Sequence, residues 1–339
     1  MYTEIDKNKR ATVILIIVFI ILFSLVGAVV GAVITFFSGS IPGAIMFGIG
    51  FFLFACLYCW YMDRYGTKFI MDQNNAVQVD HEDSPELYNI VDELILAAGL
   101  PMPEIYIIDD FDPNAFATGH DPEHSAVAVT TGLLKLMNHE ELEGVIGHEL
   151  SHIKNYDIRL STMFFSLRHL MHLTTKALLF AGFGLVYNFF VNTKGFWSMI
   201  LNLVISFFGV VILSAGIVIG ACLYPEAILI EYAFSRNRES LADASSVELT
   251  RNPEGLLHAL EKLQRYETEY YAVGDDSFHD PTTNSTNLSD QYSALYFNVS
   301  KGNKTNKKYF QRVSAFFENL TSTHPPLEKR IADLKKMSD

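Results

Sequence analysis

Gly147-His148-Glu149-Leu150-Ser151-His152-Ile153-Lys154-Asn155-Tyr156-Asp157 is the stretch on which the reading of this chain turns. Two histidines four residues apart stand one turn apart on one helix face, where their imidazoles can share a zinc ion. Glu149, one residue round from His148, can face a water at that ion and act as general base. Asn138, with Glu141 three residues on, predicts the cap of this helix. A plain pair of surface histidines remains open at this point.

Two nitrogen ligands do not complete a catalytic zinc site, which takes a third protein ligand and keeps one position for water. Working outward, the best candidate lies in Ser235-Arg236-Asn237-Arg238-Glu239-Ser240-Leu241-Ala242-Asp243. If that stretch is helical, Glu239 and Asp243 share a face at i and i+4. Glu239 can then bind zinc while Asp243 accepts a hydrogen bond from a ligand histidine and fixes its tautomer. On spacing alone an equal case exists for two ordinary surface acids balanced by Arg236 and Arg238. His169 and His172 have no acid or cysteine nearby and read as helix-bundle lining, not a second metal site.

The rest of the chain sets this motif beside a membrane. Of 339 residues, 50% are apolar and only 19% charged, against roughly 25% charged in a soluble domain. An ordinary soluble enzyme is excluded. Residues 11–62 and 195–225 contain no Asp, Glu, Lys or Arg, and about 20 apolar residues suffice to span hydrocarbon. Turn residues Ser38 to Gly43 break the first desert, so spans are expected at about 11–36 and 42–62. A signal peptide is the alternative for the first, but the apolar run is too long and no small-residue cleavage site follows. A third and weaker span is expected at 172–191, since Arg168, His169, His172 and Lys176 crowd its start, and a fourth at 196–223.

Lys7, Lys9, Arg10, Arg64, Lys68, Lys154, Arg159, Arg168, Arg236 and Arg238 all flank the spans on one side, and Lys194 alone on the other. The bias toward cytoplasmic Lys and Arg places both termini and both polar segments in the cytoplasm. The net charge is -13, and residues 63–163 hold 19 acidic against five basic side chains, so nucleic acid is not an expected partner. Cys56, Cys59 and Cys222 lie inside apolar stretches and form no disulfide framework.

Four regions follow: 1–62, a tail and membrane hairpin; 63–171, a cytoplasmic segment carrying the metal motif; 172–223, a second hairpin; and 224–339, a cytoplasmic segment with the third ligand. In the second region Ser84-Pro85-Glu86 predicts a capped helix start, with Leu87, Ile90, Val91, Leu94 and Ile95 as its apolar stripe. Strands are expected at Glu104 to Asp109, Ala115 to Thr118 and Ala126 to Thr130. Residues 275–307, rich in Asn, Ser, Thr and Lys, read as a flexible insertion. The five Asn-x-Ser/Thr sites at Asn284, Asn287, Asn298, Asn303 and Asn319 read as compositional on cytoplasmic chain.

With these residues in place the chain resembles the HtpX-type membrane zinc metalloproteases, relatives of the CAAX prenyl endopeptidases. The likeness rests on His148 to His152 with Asn155, Tyr156 and Asp157, an inserted hydrophobic hairpin, and Arg238-Glu239-Ser240-Leu241-Ala242-Asp243. Asn114-Ala115-Phe116-Ala117-Thr118-Gly119 and Ser322-Thr323-His324-Pro325-Pro326 complete it. The resemblance implies an α+β fold, mainly helical: an integral membrane zincin with about four transmembrane helices, a catalytic helix and a small β-sheet with an exposed edge strand.

It further implies one Zn2+ per chain on His148, His152 and Glu239, with Glu149 as base. Asn114, Ala115, Phe116 and Ala117 would hold an extended substrate by main-chain hydrogen bonds, as an unpaired edge can. His324 has two level readings, an oxyanion stabiliser or merely a residue before a helix start. The implied partners are protein or peptide substrates, damaged or misfolded membrane proteins among them, and the lipid bilayer. The implied place is the cell (plasma) membrane, multi-pass, with the site cytoplasmic. A non-enzymatic membrane scaffold with structural zinc is the alternative, disfavoured because such a protein could dispense with Glu149.

Overall fold

Asn138 and Glu141 form a reciprocal pair of hydrogen bonds at the head of the metal-motif helix. Asn138 Oδ1 accepts from the Glu141 N–H at 2.9 Å, and Glu141 Oε2 from the Asn138 N–H at 2.8 Å. This capping box satisfies two donors that a helix start leaves open. Lys262 Nζ reaches the same Glu141 carboxylate at 2.5 Å, so the cap is also tied to a later helix.

The computed structural model describes residues 2–35, 41–192, 195–218, 220, 238–273 and 327–338. In chain order these hold α1 (Tyr2–Ile34), α2 (Ile41–Gln73), β1 (Val77–Gln78), α3 (Pro85–Ala98), β2 (Glu104–Ile108) and β3 (Ala115–Gly119). There follow β4 (Ser125–Thr130), α4 (Thr131–Leu136), α5 (His139–Lys154), α6 (Asp157–Asn192) and α7 (Phe196–Val218). Last come α8 (238–250), α9 (Pro253–Val273) and α10 (Leu327–Ser338). The fold is thus mainly helical with one small mixed sheet, the α+β class expected. The 275–307 insertion, its sequons, His324 and Cys222 lie outside the described residues.

Among the described residues four helices are long and apolar enough to cross a membrane: Ile5–Ala32, Ile45–Gln73, Asp157–Val191 and Phe196–Ile217. Their number agrees with the sequence, and two of the helices run well beyond the apolar stretches expected to span. α2 runs on through Arg64 and Lys68 to Gln73, and α6 begins at Asp157, well ahead of the apolar residues at 172. The i to i+4 ladder does not stop where the side chains turn polar: no Pro interrupts either stretch, and the one Gly, Gly66 in α2, is carried within the helix. Two units result, one of Ala11–Met62 with Ser166–Ile228, the other of Met1–Arg10, Asp63–Phe165 and Leu229–Asp339. The first leaves Leu57, Trp60, Phe180 and Trp197 exposed, as side chains meant for lipid would be.

The second unit holds the sheet, in the order β1-β2-β4-β3. β2 and β4 are parallel, while β3 runs antiparallel to β4 with Ala115 opposite Val129 and Gly119 opposite Ser125. Successive side chains of β4 serve two different cores. Val127 and Val129, with Ala115 and Ala117 of β3, pack under α3, α5 and α9, while Ala126, Ala128 and Phe116 join Ile70, Met71, Ile108 and Phe165. Both faces are covered; what β3 leaves open is its outer edge.

α3 has the expected apolar stripe, Pro85 at its start and Gly99 in the left-handed region (φ 68°) at its end. Ser84, however, makes no capping bond with its side chain; its backbone at φ -145°, ψ 74° is off the extended geometry from which a cap side chain reaches back.

α5 is crossed closely by α8 and α9. Ser246 Oγ donates to the Gly144 carbonyl at 2.7 Å, and a Cβ on Gly144 would lie 2.6 Å from the Leu256 amide nitrogen. Backbone cannot give way there as a side chain can. Gly144→Ala is therefore expected to cost about 1–3 kcal/mol, in the range for overpacking a close contact. A thermal unfolding midpoint equal to the parent's would contradict this account of the crossing.

Candidate metal centre

Ser246 also accounts for how a residue far along the chain meets the metal motif. Glu239, Ala242, Asp243 and Ser246 stand at i, i+3, i+4 and i+7 on α8, and all four are buried. Anchoring Ser246 on Gly144 sets the start of that face over His148 and His152, one and two turns further along α5. A helix that looks polar in sequence is thus turned inward by its one face of small and acidic residues.

The ligating atoms of His148, His152 and Glu239 all lie within 4.8 Å of one another. The His148 and His152 Nε2 atoms are 3.1 Å apart, and Glu239 reaches them at 3.4 and 3.6 Å. A tetrahedral zinc with bonds near 2.0–2.1 Å would separate its ligands by about 3.3 Å. The spacing therefore fits the ion.

The donor set points the same way. His148 Nδ1 faces Asp243 Oδ1 at 2.9 Å, and His152 Nδ1 faces Asp157 Oδ2 at 3.1 Å. A carboxylate at Nδ1 takes the N–H there and leaves the Nε2 lone pair for a metal. Two such lone pairs and a carboxylate converge on one point, an arrangement that calls for a cation. Burial and the Arg330 guanidinium push the His148 imidazole down, yet the bonds to Asp243 and Glu239 outweigh them and raise it to about 9. The pocket favours positive charge.

Asp243, expected from the sequence to hold a ligand histidine, is the carboxylate that faces His148 Nδ1. It also meets a partner that the sequence reading missed. Arg330 on α10 is 2% exposed and grips the Asp243 carboxylate with both arms, Nη2 to Oδ1 at 2.6 Å and Nε to Oδ2 at 2.9 Å. Its Nη1 lies 3.8 Å from Glu239 Oε2. Burial alone would raise the Asp243 carboxyl, but Arg330 and His148 hold it at about 2. A signal was present: Leu327, Arg330, Ile331 and Leu334 form one i, i+3, i+4, i+7 stripe, with an arginine where an apolar residue belongs. Asp157 was singled out with the motif, but its contact with His152 was not foreseen, since it lies past the end of α5, where helical spacing gives no guide.

Glu149 is buried beside His148 on α5. Strand alternation divides the four residues expected to hold substrate. Asn114 pairs with Thr130 across the β3–β4 ladder, its carbonyl accepting from the Thr130 N–H at 2.9 Å, so the main chains of Asn114 and Phe116 face β4 and those of Ala115 and Ala117 face the open edge. The Phe116 ring is in the core. The Ala115 N–H is held by Asn114 Oδ1 at 3.0 Å, which leaves the Ala115 carbonyl and both Ala117 groups on the outer side.

Comparison with known proteins agrees in kind. The sequence profile of peptidase family M48 matches residues 81–338. A protease HtpX homologue of Streptococcus pyogenes serotype M28 is 38% identical over 343 residues, spanning 99% of this chain and 100% of the relative. One from Streptococcus gordonii is 39% identical over 290 residues, 84% of each chain, and one from Levilactobacillus brevis 37% over 316 residues, 88% and 87%. The crystal structure of S. mikatae Ste24p aligns with a TM-score of 0.45 at 17% identity, over 98% of this chain and 67% of that one.

Proposed function

This chain belongs to peptidase family M48, and from that footing we infer a zinc endopeptidase of the plasma membrane that works at the cytoplasmic face on damaged or misfolded membrane proteins. It is a metalloprotease with membrane-spanning helices, so its substrates are proteins or peptides and its surroundings a bilayer. The observation that carries the zinc assignment is the meeting of two imidazole lone pairs and a buried carboxylate.

His148, His152 and Glu239 would hold one zinc per chain, which supplies Lewis acidity toward a carbonyl and toward water. Asp243 and Asp157 keep the two imidazoles in the tautomer that exposes Nε2. Glu149 takes a proton from the attacking water as its oxygen bonds to the scissile carbonyl carbon. It then gives that proton to the leaving nitrogen as the C–N bond breaks. The outer groups of Ala115 and Ala117 pair with an extended peptide as an added strand, while Phe116 and Asn114 support that strand from behind. His324, six residues before Arg330, is assigned to steady the oxyanion.

Metal analysis of detergent-purified protein tests the ligand set. Glu239→Ala is expected to lose stoichiometric zinc, and Asp243→Ala to weaken zinc by about 10- to 100-fold, the range for an outer partner. Equal losses would overturn the division of roles. The cytoplasmic placement rests on the Lys and Arg bias. A cysteine replacing Ser40 should react with an impermeant reagent from outside, and a reporter after Asp339 should be active only inside; the reverse pattern would reverse the compartment.

A further inference from the structure

Residues 2–10 form the polar opening turns of α1 and lead into its apolar run. They belong to the unit that holds the metal centre. Asn8 is only 7% exposed, a low value for a polar side chain. Its amide nitrogen Nδ2 donates to the Asn155 carbonyl at 3.1 Å and also meets Asp157 Oδ1. The other oxygen of that carboxylate, Oδ2, is the one facing His152 Nδ1 at 3.1 Å. A continuous path therefore runs from Asn8 through Asp157 to a zinc-ligand histidine.

A second contact converges on the same turn. Lys9 Nζ lies over the Tyr156 ring, 4.1 Å from its centroid. Tyr156 occupies the left-handed backbone region, φ 59°, which an aromatic residue adopts only when its surroundings enforce it. The break between α5 and α6, Asn155-Tyr156, is thus a strained junction that begins three residues after His152. Asn8 holds its first residue, Asn155, and the Asp157 that opens α6, and Lys9 covers Tyr156 between them.

We propose that the amino-terminal arm is part of the metal site, with Asn8 a positioning residue that fixes Asp157 and through it the orientation and tautomer of His152. The arm acts by geometry: with Asn8 in place, the Asp157 carboxylate has one oxygen anchored and presents the other to His152. Without it the carboxylate can rotate away, and the imidazole loses the partner that sets which nitrogen carries the proton. The Lys9 contact keeps the junction in the conformation that brings Asp157 within reach. Asn8 touches neither substrate nor metal, so its effect must appear in metal affinity and disappear when Asp157 is absent.

This inference rests on the zinc-site reading, and a double-mutant cycle on the full-length protein in detergent separates the two. Zinc affinity would be measured by competition with a chromogenic chelator, and the ligand field by the visible spectrum of the cobalt-substituted protein. Asp157→Ala is expected to weaken zinc by about 10- to 100-fold, and Asn8→Ala by about tenfold, the low end for an outer partner. In the Asp157→Ala background, Asn8→Ala should add less than about twofold, because residues acting through one another are not additive. Asn8→Asp, of nearly the same shape, turns the donor into an acceptor facing Asp157 and should lose at least as much zinc as Asn8→Ala, with a shifted cobalt spectrum. Parent-like zinc affinity in Asn8→Ala or Asn8→Asp overturns the proposal, as does a full additive loss in the double variant, which a merely structural arm would give. Glu239→Ala is the control for the site itself: if it binds zinc like the parent, the site reading fails first; if it loses zinc while both Asn8 variants keep it, the arm alone is refuted.

Discussion

Replacing Glu149 by glutamine is expected to leave about one zinc per chain in place and to lower peptide cleavage by about 10²- to 10⁴-fold. The two effects separate because Glu149 is outside the three-donor set, His148, His152 and Glu239. A carboxamide keeps the shape and the burial of the carboxylate, so the helix and its two imidazoles have no reason to move. What it lacks is the basicity to take a proton from water. The check is zinc content by mass spectrometry beside cleavage of an unfolded protein, on parent and variant purified together. Self-cleavage during purification should stop as well. Full activity in Glu149→Gln would remove this residue from the mechanism, and loss of zinc would make it a structural support.

Arg330→Met has the largest expected effect on the fold. Asp243 and Glu239 are both buried, and Arg330 is the cation set against them, in two-pronged contact with Asp243. Removing it leaves a buried carboxylate without its counter-charge, a change that costs about 3–5 kcal/mol. The thermal midpoint should fall and zinc affinity with it, since Asp243 is no longer held against His148. Adding Asp243→Asn to Arg330→Met should restore part of the stability by removing both charges, though not the zinc affinity. A midpoint for Arg330→Met matching the parent's would show that the network carries no such weight.

Much of this site could be read along the chain because its parts obey local periods. Two histidines at i and i+4 share a face in any α-helix, and Asn138 with Glu141 marks a start that any helix needs. The four spans were readable for a different reason: hydrocarbon admits no unpaired backbone, so a span must be both helical and about 20 residues long. Where those spans join the polar helices was not readable. α6 runs from Asp157 to Asn192 without a break, and a hydropathy pattern registers the change of surroundings, not the continuity of the ladder. For Ser84 the residue type was right for a cap and the backbone angle was not.

The sequence by itself determined the helix bearing His148, Glu149 and His152, the apolar helices, and the face shared by Glu239 and Asp243. Each depends on residues within a turn or two of one another, where covalent geometry sets the spacing. Only the tertiary structure decided that Glu239 stands at the imidazoles and Asp243 behind one of them. It alone matched Asp157 to the other imidazole, brought Arg330 and Asn8 into the network, and set the main-chain groups of Ala115 and Ala117 toward the open edge while those of Asn114 and Phe116 paired with β4. Those pairings join residues as much as 149 positions apart. They are set by the close crossing at Gly144 and Ser246, by strand register and by a strained junction at Tyr156, and such packing leaves no period in the chain to read.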